Sequence, residues 1–226
     1  PRLYRHLAWG DLVSMPVLDG RQYRSAQACN PEGRSGNRPR RDCPALADPK
    51  RTMLGAAQEA WLDETLKRER GRWTLLAQQT VVAPIDTPEG VMSDQWDGYV
   101  ASRDRLLAGL TQPSVRNAVV LSGDIHAFMV NDLRTRAGEG VAASELVTTC
   151  LAASHAPSSR YGQVRARNPD VRFADIERSG YTLIEATPDA LSVDLRAVSD
   201  QSDPQGIAQS LARFTIEDQR KGVQAG

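Results

Sequence analysis

The feature that most limits the fold is a pair of short, largely apolar runs, Trp73-Thr74-Leu75-Leu76-Ala77 and Ala118-Val119-Val120-Leu121. Both are too short for an ordinary helix, and both stop abruptly in polar residues, Gln78-Gln79 and Ser122-Gly123-Asp124-Ile125-His126. Such runs read as buried strands. Helical patterns precede them. Thr52 caps a helix with Leu54, Trp61, Leu62 and Leu66 on one face and the pairs Asp63/Lys67 and Glu64/Arg68 outside, stopped by Gly71. A second helix runs from about Tyr99 to Leu110, with Tyr99, Leu106, Leu107 and Leu110 clustered.

Residues 2–19 read as two strands around a turn at Trp9-Gly10-Asp11, and Pro16, lacking a donor, calls for an edge or bulge. Val141–Thr149 reads as a further strand. Tyr181–Thr187 and Leu191–Val198 form a hairpin around Pro188-Asp189. The order predicts an α/β fold with a mixed sheet, as one unit over residues 1–226. Residues 25–51, rich in Arg, Pro, Gly and Asn, form a long surface loop, and the weakly patterned 205–226 tail is expected to fray.

Composition narrows the function. Lys and Arg number 28 against 28 Asp and Glu, so the chain lacks the basic excess of a nucleic-acid or anionic-membrane binder. No run approaches the ~18 apolar residues of a membrane span. At 40% hydrophobic, wholesale disorder is also disfavoured. The sequence opens on Pro1-Arg2-Leu3-Tyr4 without initiator Met or secretory signal, which reads as a processed product or part of a larger chain. Cys29 and Cys43 share one polar loop. Bridged, they close about 15 residues, worth about 3 kcal/mol and favoured in an oxidising compartment; the alternative is two unpaired thiols. Cys150 reads as a small buried residue.

Four constellations can carry chemistry. Asp124 and His126, spaced by one beyond a buried strand, project to the same side, and a carboxylate with an imidazole suits a borderline or hard cation. The alternative is a hydrogen-bonded His at a strand end. Gln78 and Gln79 can ligate a hard cation or orient a phosphoryl oxygen, or simply tie a loop. Asp97, in Asp94-Gln95-Trp96-Asp97-Gly98-Tyr99, is placed to cap the second helix. Arg21, in Asp19-Gly20-Arg21-Gln22-Tyr23-Arg24, can neutralise a phosphate or pair with an acid. Of the other two histidines, His6 reads as structural or solvent-facing, and His155 lies in a loop that can approach a site.

Taken in order, these residues resemble the alkaline phosphatase D (PhoD-like) family of phosphatases and phosphodiesterases. The resemblance is carried by Leu18-Asp19-Gly20-Arg21-Gln22-Tyr23-Arg24, Arg51-Thr52-Met53-Leu54-Gly55, Gln58-Glu59-Ala60-Trp61-Leu62, Gln78-Gln79 and Trp96-Asp97-Gly98-Tyr99. Val120-Leu121-Ser122-Gly123-Asp124-Ile125-His126, Asn131-Asp132-Leu133, and Asn168-Pro169 leading to Gly180-Tyr181 extend it to about Val198.

The resemblance implies a calcineurin-like metallophosphoesterase sandwich, two mixed β-sheets flanked by helices, hydrolysing phosphate mono- and diesters. It also implies export, often by the twin-arginine route, and divalent or trivalent metal ions, with iron and calcium associated with the family. Asp124 and His126 carry over as metal ligands and catalytic residues, Gln79 as a less secure ligand. Arg21, Gln78, Asp97 and Tyr99 carry over as residues lining the substrate site, Arg21 also in catalysis.

One departure stands out: the family's first metal motifs, in an amino-terminal half rich in Asp and Asn, are absent. The chain therefore corresponds to the carboxyl-terminal half of the domain, with that amino-terminal half as its expected partner, an incomplete metal shell and exposed sheet edges. A rival reading is a non-catalytic interaction module, with Arg34, Arg38, Arg40, Arg41, Lys50 and Arg51 contacting an acidic partner. A nuclease-like phosphodiesterase would use the same site with a different groove.

Overall fold

The structure is a computed structural model that describes residues 1–31, 36, 38–136 and 140–226. Strands β1 (Arg5–Trp9) and β2 (Val13–Val17) open the chain, and β3 (Pro39–Arg40) follows. Helix α1 (Ala56–Lys67) leads into β4 (Trp73–Ala77) and β5 (Val91–Met92), and α2 (Val100–Leu110) leads into β6 (Ala118–Ser122). Then come β7 (Phe128–Arg134), β8 (Val141–Val147), the short helices α3 (Ser158–Tyr161) and α4 (Val164–Arg167), and β9 (Val171–Asp175). The last strands are β10 (Gly180–Ala186), β11 (Ala190–Val198), β12 (Ala208–Glu217) and β13 (Gln224–Ala225).

A seven-stranded mixed sheet runs β1-β2-β4-β6-β8-β7-β9. Its centre, β2 to β8, is parallel, and its margins are antiparallel. Side chains alternate across it. Leu76, Val120 and Val147 meet Leu62, Leu66, Leu106 and Leu107 of α1 and α2. Trp73, Leu75, Val119 and Leu146 meet Leu191, Val193, Leu195 and Ile216 of a second, four-stranded sheet, β10-β11-β12-β13. Layers on both faces explain why β4 and β6 are mostly apolar, without a polar face. The predicted mixed α/β architecture is present, but the second sheet is wholly antiparallel, not mixed.

Other expectations are corrected. The tail does not fray: β12 pairs with β11 along its length and places Ile216 in the core, a pattern hidden because one face of the strand stays wet. Strands β7 and β9 were not read from the sequence; Asn131 and Asp132 interrupt the apolar run of β7, yet both are buried. Thr52 caps no helix; its hydroxyl accepts from the Leu54 and Gly55 amides in a turn ahead of α1, whose N-cap is Gly55. Asp97 caps nothing either, since it sits inside a 3-10 turn, Trp96–Tyr99, that feeds α2.

Pro16 lies in an interior strand, but the β2–β4 pairing skips Met15 and Pro16, so its missing donor costs no ladder bond. Strand β1 is an outer edge with all five residues exposed. The Cys29–Cys43 disulfide is formed, with Cα atoms 6.1 Å apart, and Cys150 is half-buried. Of the proposed basic surface, Arg34 lies outside the described residues. No helix among the described residues is long and apolar enough to cross a membrane.

Candidate functional site

The parallel centre of the large sheet sends β2, β4 and β6 the same way, so their carboxyl ends gather three polar segments: Asp19–Arg24, Gln78-Gln79 and Gly123–His126. Ligands in open α/β sheets bind at such strand ends. Asp124 (φ 74°) and His126 (φ 57°) both adopt the left-handed region, which non-glycine residues rarely occupy. Buried Ile125 lies between exposed Asp124 and half-buried His126. Strain of this kind concentrates at ligand sites.

His126 is gripped by the loop after β8. Its Nδ1 lies 2.5 Å from the Ser154 carbonyl, and its own carbonyl accepts from the Ala156 amide at 3.2 Å. A carbonyl only accepts, so Nδ1 carries the proton and Nε2 keeps its lone pair. That is how a metal-binding imidazole is usually oriented.

The β2 exit presents Arg21. Asp19 accepts from the Arg21 and Gln22 amides at 2.9 and 3.0 Å, and Gln58 of α1 fixes the Asp19 backbone from both sides. The Arg21 guanidinium then spans two carboxylates, with Nη1 2.9 Å from Asp94 Oδ2 and Nη2 2.9 Å from Asp124 Oδ1. Gln95 donates to the other oxygen of Asp124 at 2.6 Å. Arg24 (2.7 Å) and Gln27 hold Asp94 Oδ1. Burial pulls the Asp94 carboxyl upward, but Arg21 and Arg24 outweigh it and hold the group below the usual carboxylate range.

The structure places Arg21, Asp124 and His126 at the carboxyl end of the sheet; of the four other expected site residues Asp97 and Tyr99 are buried, Gln78 is half-buried and Gln79 is exposed. The Gln79 oxygen accepts from the Gly20 amide and its nitrogen donates to the Leu18 carbonyl, both at 2.8 Å, tying β2 to β4. Gln78 accepts from Trp96 Nε1 and the Thr80 amide and donates to Ser122 Oγ and the Thr80 carbonyl. Asp97 is buried between Arg103 and the Ile85 amide; burial pushes its carboxyl up and Arg103 draws it back. The Tyr99 hydroxyl donates to the Ser25 carbonyl, and burial pushes the phenol up.

Of the remaining histidines, His6 bonds Ser14 at 2.7 Å and His155 bonds Ser179 at 2.9 Å, so both are engaged within the chain.

Sequence reasoning missed four contributors. Asp94 and Gln95 open the quoted run Asp94–Tyr99 but carry no role there, because their partners, Arg21 and Asp124, follow β2 and β6, far away in the chain. The Ser154 carbonyl carries no sequence signal. Glu145, a lone carboxylate in the apolar run of β8, was a visible anomaly. It is fully buried and accepts from the Val82 and Ala83 amides, Ser122 Oγ and Asn131, thereby fixing the loop after Gln79 and the residue before Gly123. Burial pushes this carboxyl up, opposed by those hydrogen bonds.

A carboxylate and an imidazole with a free Nε2 fit a hard or borderline cation by donor type. They supply only two donors, and no group of three or more His, Cys, Asp or Glu side chains converges among the described residues. Arg21, part-exposed beside them, offers a planar fork to an anionic oxygen.

Comparison with known proteins agrees in fold and sequence. The PhoD-like phosphatase family matches residues 1–195. Alkaline phosphatase D of Bacillus subtilis (strain 168) is 32% identical over 232 residues, which cover 98% of this chain and 39% of that protein. The solved structure of PhoD superposes with a TM-score of 0.85 at 30% identity, covering 99% of this chain and 44% of that one. Purple acid phosphatase from yellow lupin (Lupinus luteus) seeds superposes at a TM-score of 0.48 and 11% identity, over 95% of this chain and 32% of that one, too distant to bear on function. The chain spans less than half the length of the PhoD relatives it matches. By sequence and by fold, this chain belongs to the PhoD-like phosphatase family.

Proposed function

We propose that this chain supplies one side of a phosphoester-hydrolysing site, with Asp124, His126 and Arg21 as its working groups. The observation that carries the reading is the pair of left-handed residues Asp124 and His126 at the mouth of β6, with His126 Nδ1 pinned so that Nε2 is free. Family membership supports hydrolysis over a purely structural role. Arg21 recognises the phosphoryl oxygens as a planar donor and stabilises charge that grows on them during attack.

Asp124 and His126 would hold a divalent or trivalent cation, iron or calcium by the family resemblance. When bound, it supplies activation of water and neutralisation of phosphoryl charge. Two donors from this chain leave the remaining ligands to the amino-terminal half of the domain, the partner this reading requires; the exposed edge β1 supports a neighbour on that side. Gln79, Gln78, Asp97 and Tyr99 act by shaping the site rather than by touching metal or substrate. The disulfide supports export to a secreted or periplasmic setting.

The test pairs this chain with the amino-terminal half of the domain and follows bound metal and bis-aryl phosphate hydrolysis together. His126→Ala is expected to lower both by tenfold or more, in the range of ~1.4 kcal/mol upward. Unchanged metal occupancy and rate would sink the assignment.

A further inference from the structure

Both oxygens of Asp124 are occupied, by Arg21 Nη2 at 2.9 Å and Gln95 Nε2 at 2.6 Å. A cation that takes Asp124 must therefore contend with a guanidinium already there. Arg21 is also held from its other side by Asp94, at 2.9 Å. The two contacts are unequal. Asp94, 13% exposed, is also fixed by Arg24 and Gln27, whereas Asp124 is 27% exposed and Arg21 is 35% exposed. An ion pair this wet is weak. Asp94 is the anchor and Asp124 the weak end.

We propose that Arg21 is a displaceable counter-cation: where Asp124 and His126 would hold a cation, the guanidinium gives up the Asp124 oxygen, stays tethered to Asp94, and offers its freed Nη2 to a phosphoryl oxygen. The step exchanges one ionic contact for another, with no bond made or broken. It couples metal loading to anion binding through a single side chain, and the coupling is reciprocal. The flexible Arg stem permits the turn while Asp94, Arg24 and Gln27 keep the anchoring end fixed. The inference rests on reading Asp124 and His126 as cation donors.

Isothermal titration with Mn²⁺ of this chain paired with the amino-terminal half of the domain, without any activity readout, tests it. Arg21→Gln is expected to tighten Mn²⁺ binding about fivefold, the scale of one part-exposed ion pair. Arg24→Gln, which removes the same charge nearby but touches only Asp94, is expected to change it less than about twofold. Equal tightening in both variants, no tightening in Arg21→Gln, or no detectable binding to it overturns the proposal. Titration with inorganic phosphate reads the second half: Mn²⁺ is expected to strengthen phosphate binding more in the wild type than in Arg21→Gln, and an equal gain in both overturns the handover. His126→Ala separates the two readings. If it leaves Mn²⁺ affinity unchanged, the donor assignment fails; if it weakens binding while Arg21→Gln does nothing, only the displacement fails.

Discussion

The Ser154 carbonyl lies 2.5 Å from His126 Nδ1, and this contact fixes which nitrogen of the imidazole can bind anything else. Long-range ¹H–¹⁵N spectra of the neutral imidazole are expected to show His126 as the Nδ1–H tautomer. Added Zn²⁺ should move Nε2 more than Nδ1. An Nε2–H tautomer would remove the basis for calling His126 a ligand.

Asp94 gives the protein an acid limb. Its carboxyl is lowered in the folded state because Arg21 and Arg24 outweigh burial. A lowered carboxylate stabilises above its unfolded pKa, about 3.9, and that contribution disappears as pH falls through the lower folded value. Asp94→Asn is therefore expected to cost about 1–3 kcal/mol at pH 7. In urea unfolding, the gap to wild type should shrink towards pH 2. A gap that is independent of pH would contradict the charge pairing.

Glu145 is predicted to be the most sensitive buried carboxylate near the site. Glu145→Ala orphans the Val82 and Ala83 amides and is expected to cost about 3 kcal/mol or more. Burial raises this carboxyl, so its contribution is fullest below the unfolded carboxyl pKa of about 4.3 and declines as pH rises through the folded value. Glu145→Gln should flatten that decline. Urea melts between pH 4 and 8 would show it, and an unaltered slope would count against the assignment.

The Cys29–Cys43 bridge closes a separation of 14 residues. Cys29→Ser with Cys43→Ser is expected to lower stability by about 3 kcal/mol in the chain-entropy view. Calorimetry with and without reductant checks this: wild type should fall to the double variant's level on reduction, and a variant insensitive to the change would mean the bridge constrains little.

Asp97 distinguishes shaping from contact. Asp97→Ala leaves Arg103 buried without its partner and is expected to destabilise by about 3–5 kcal/mol. Phosphate titration of the folded variant should match wild type. Weaker phosphate binding at full folding would return Asp97 to the substrate.

Much of the scaffold was legible because burial on two faces leaves a local mark. Trp73–Ala77 was read to the residue, and Ala118–Leu121 stops one short of the observed strand. The hairpin of β10 and β11 was also readable, with Pro188-Asp189 between two alternating runs. Strand β12 was not, because its outer face is polar and its pattern ambiguous without the sheet beneath it. Strand β7 hid behind Asn131 and Asp132, whose burial depends on partners supplied from β8 and the segment before β13.

The site divides along the same line. The amino-acid sequence by itself placed Asp124 and His126 just beyond a buried strand, but their left-handed backbone is not the extended chain from which a shared side was expected. The sequence also determined the family, through motifs in a fixed order. Only the tertiary structure decided which polar groups remain available. Gln78, Gln79, Asp97 and Tyr99 have the same chemistry as site residues, but each is hydrogen-bonded to groups that folding brings to it, among them Ser122, Leu18, Ile85 and Ser25. Whether a side chain is a tool or a tie depends on the partners that folding brings to it, and hydrogen-bond satisfaction is a property of the whole packed chain rather than of any motif.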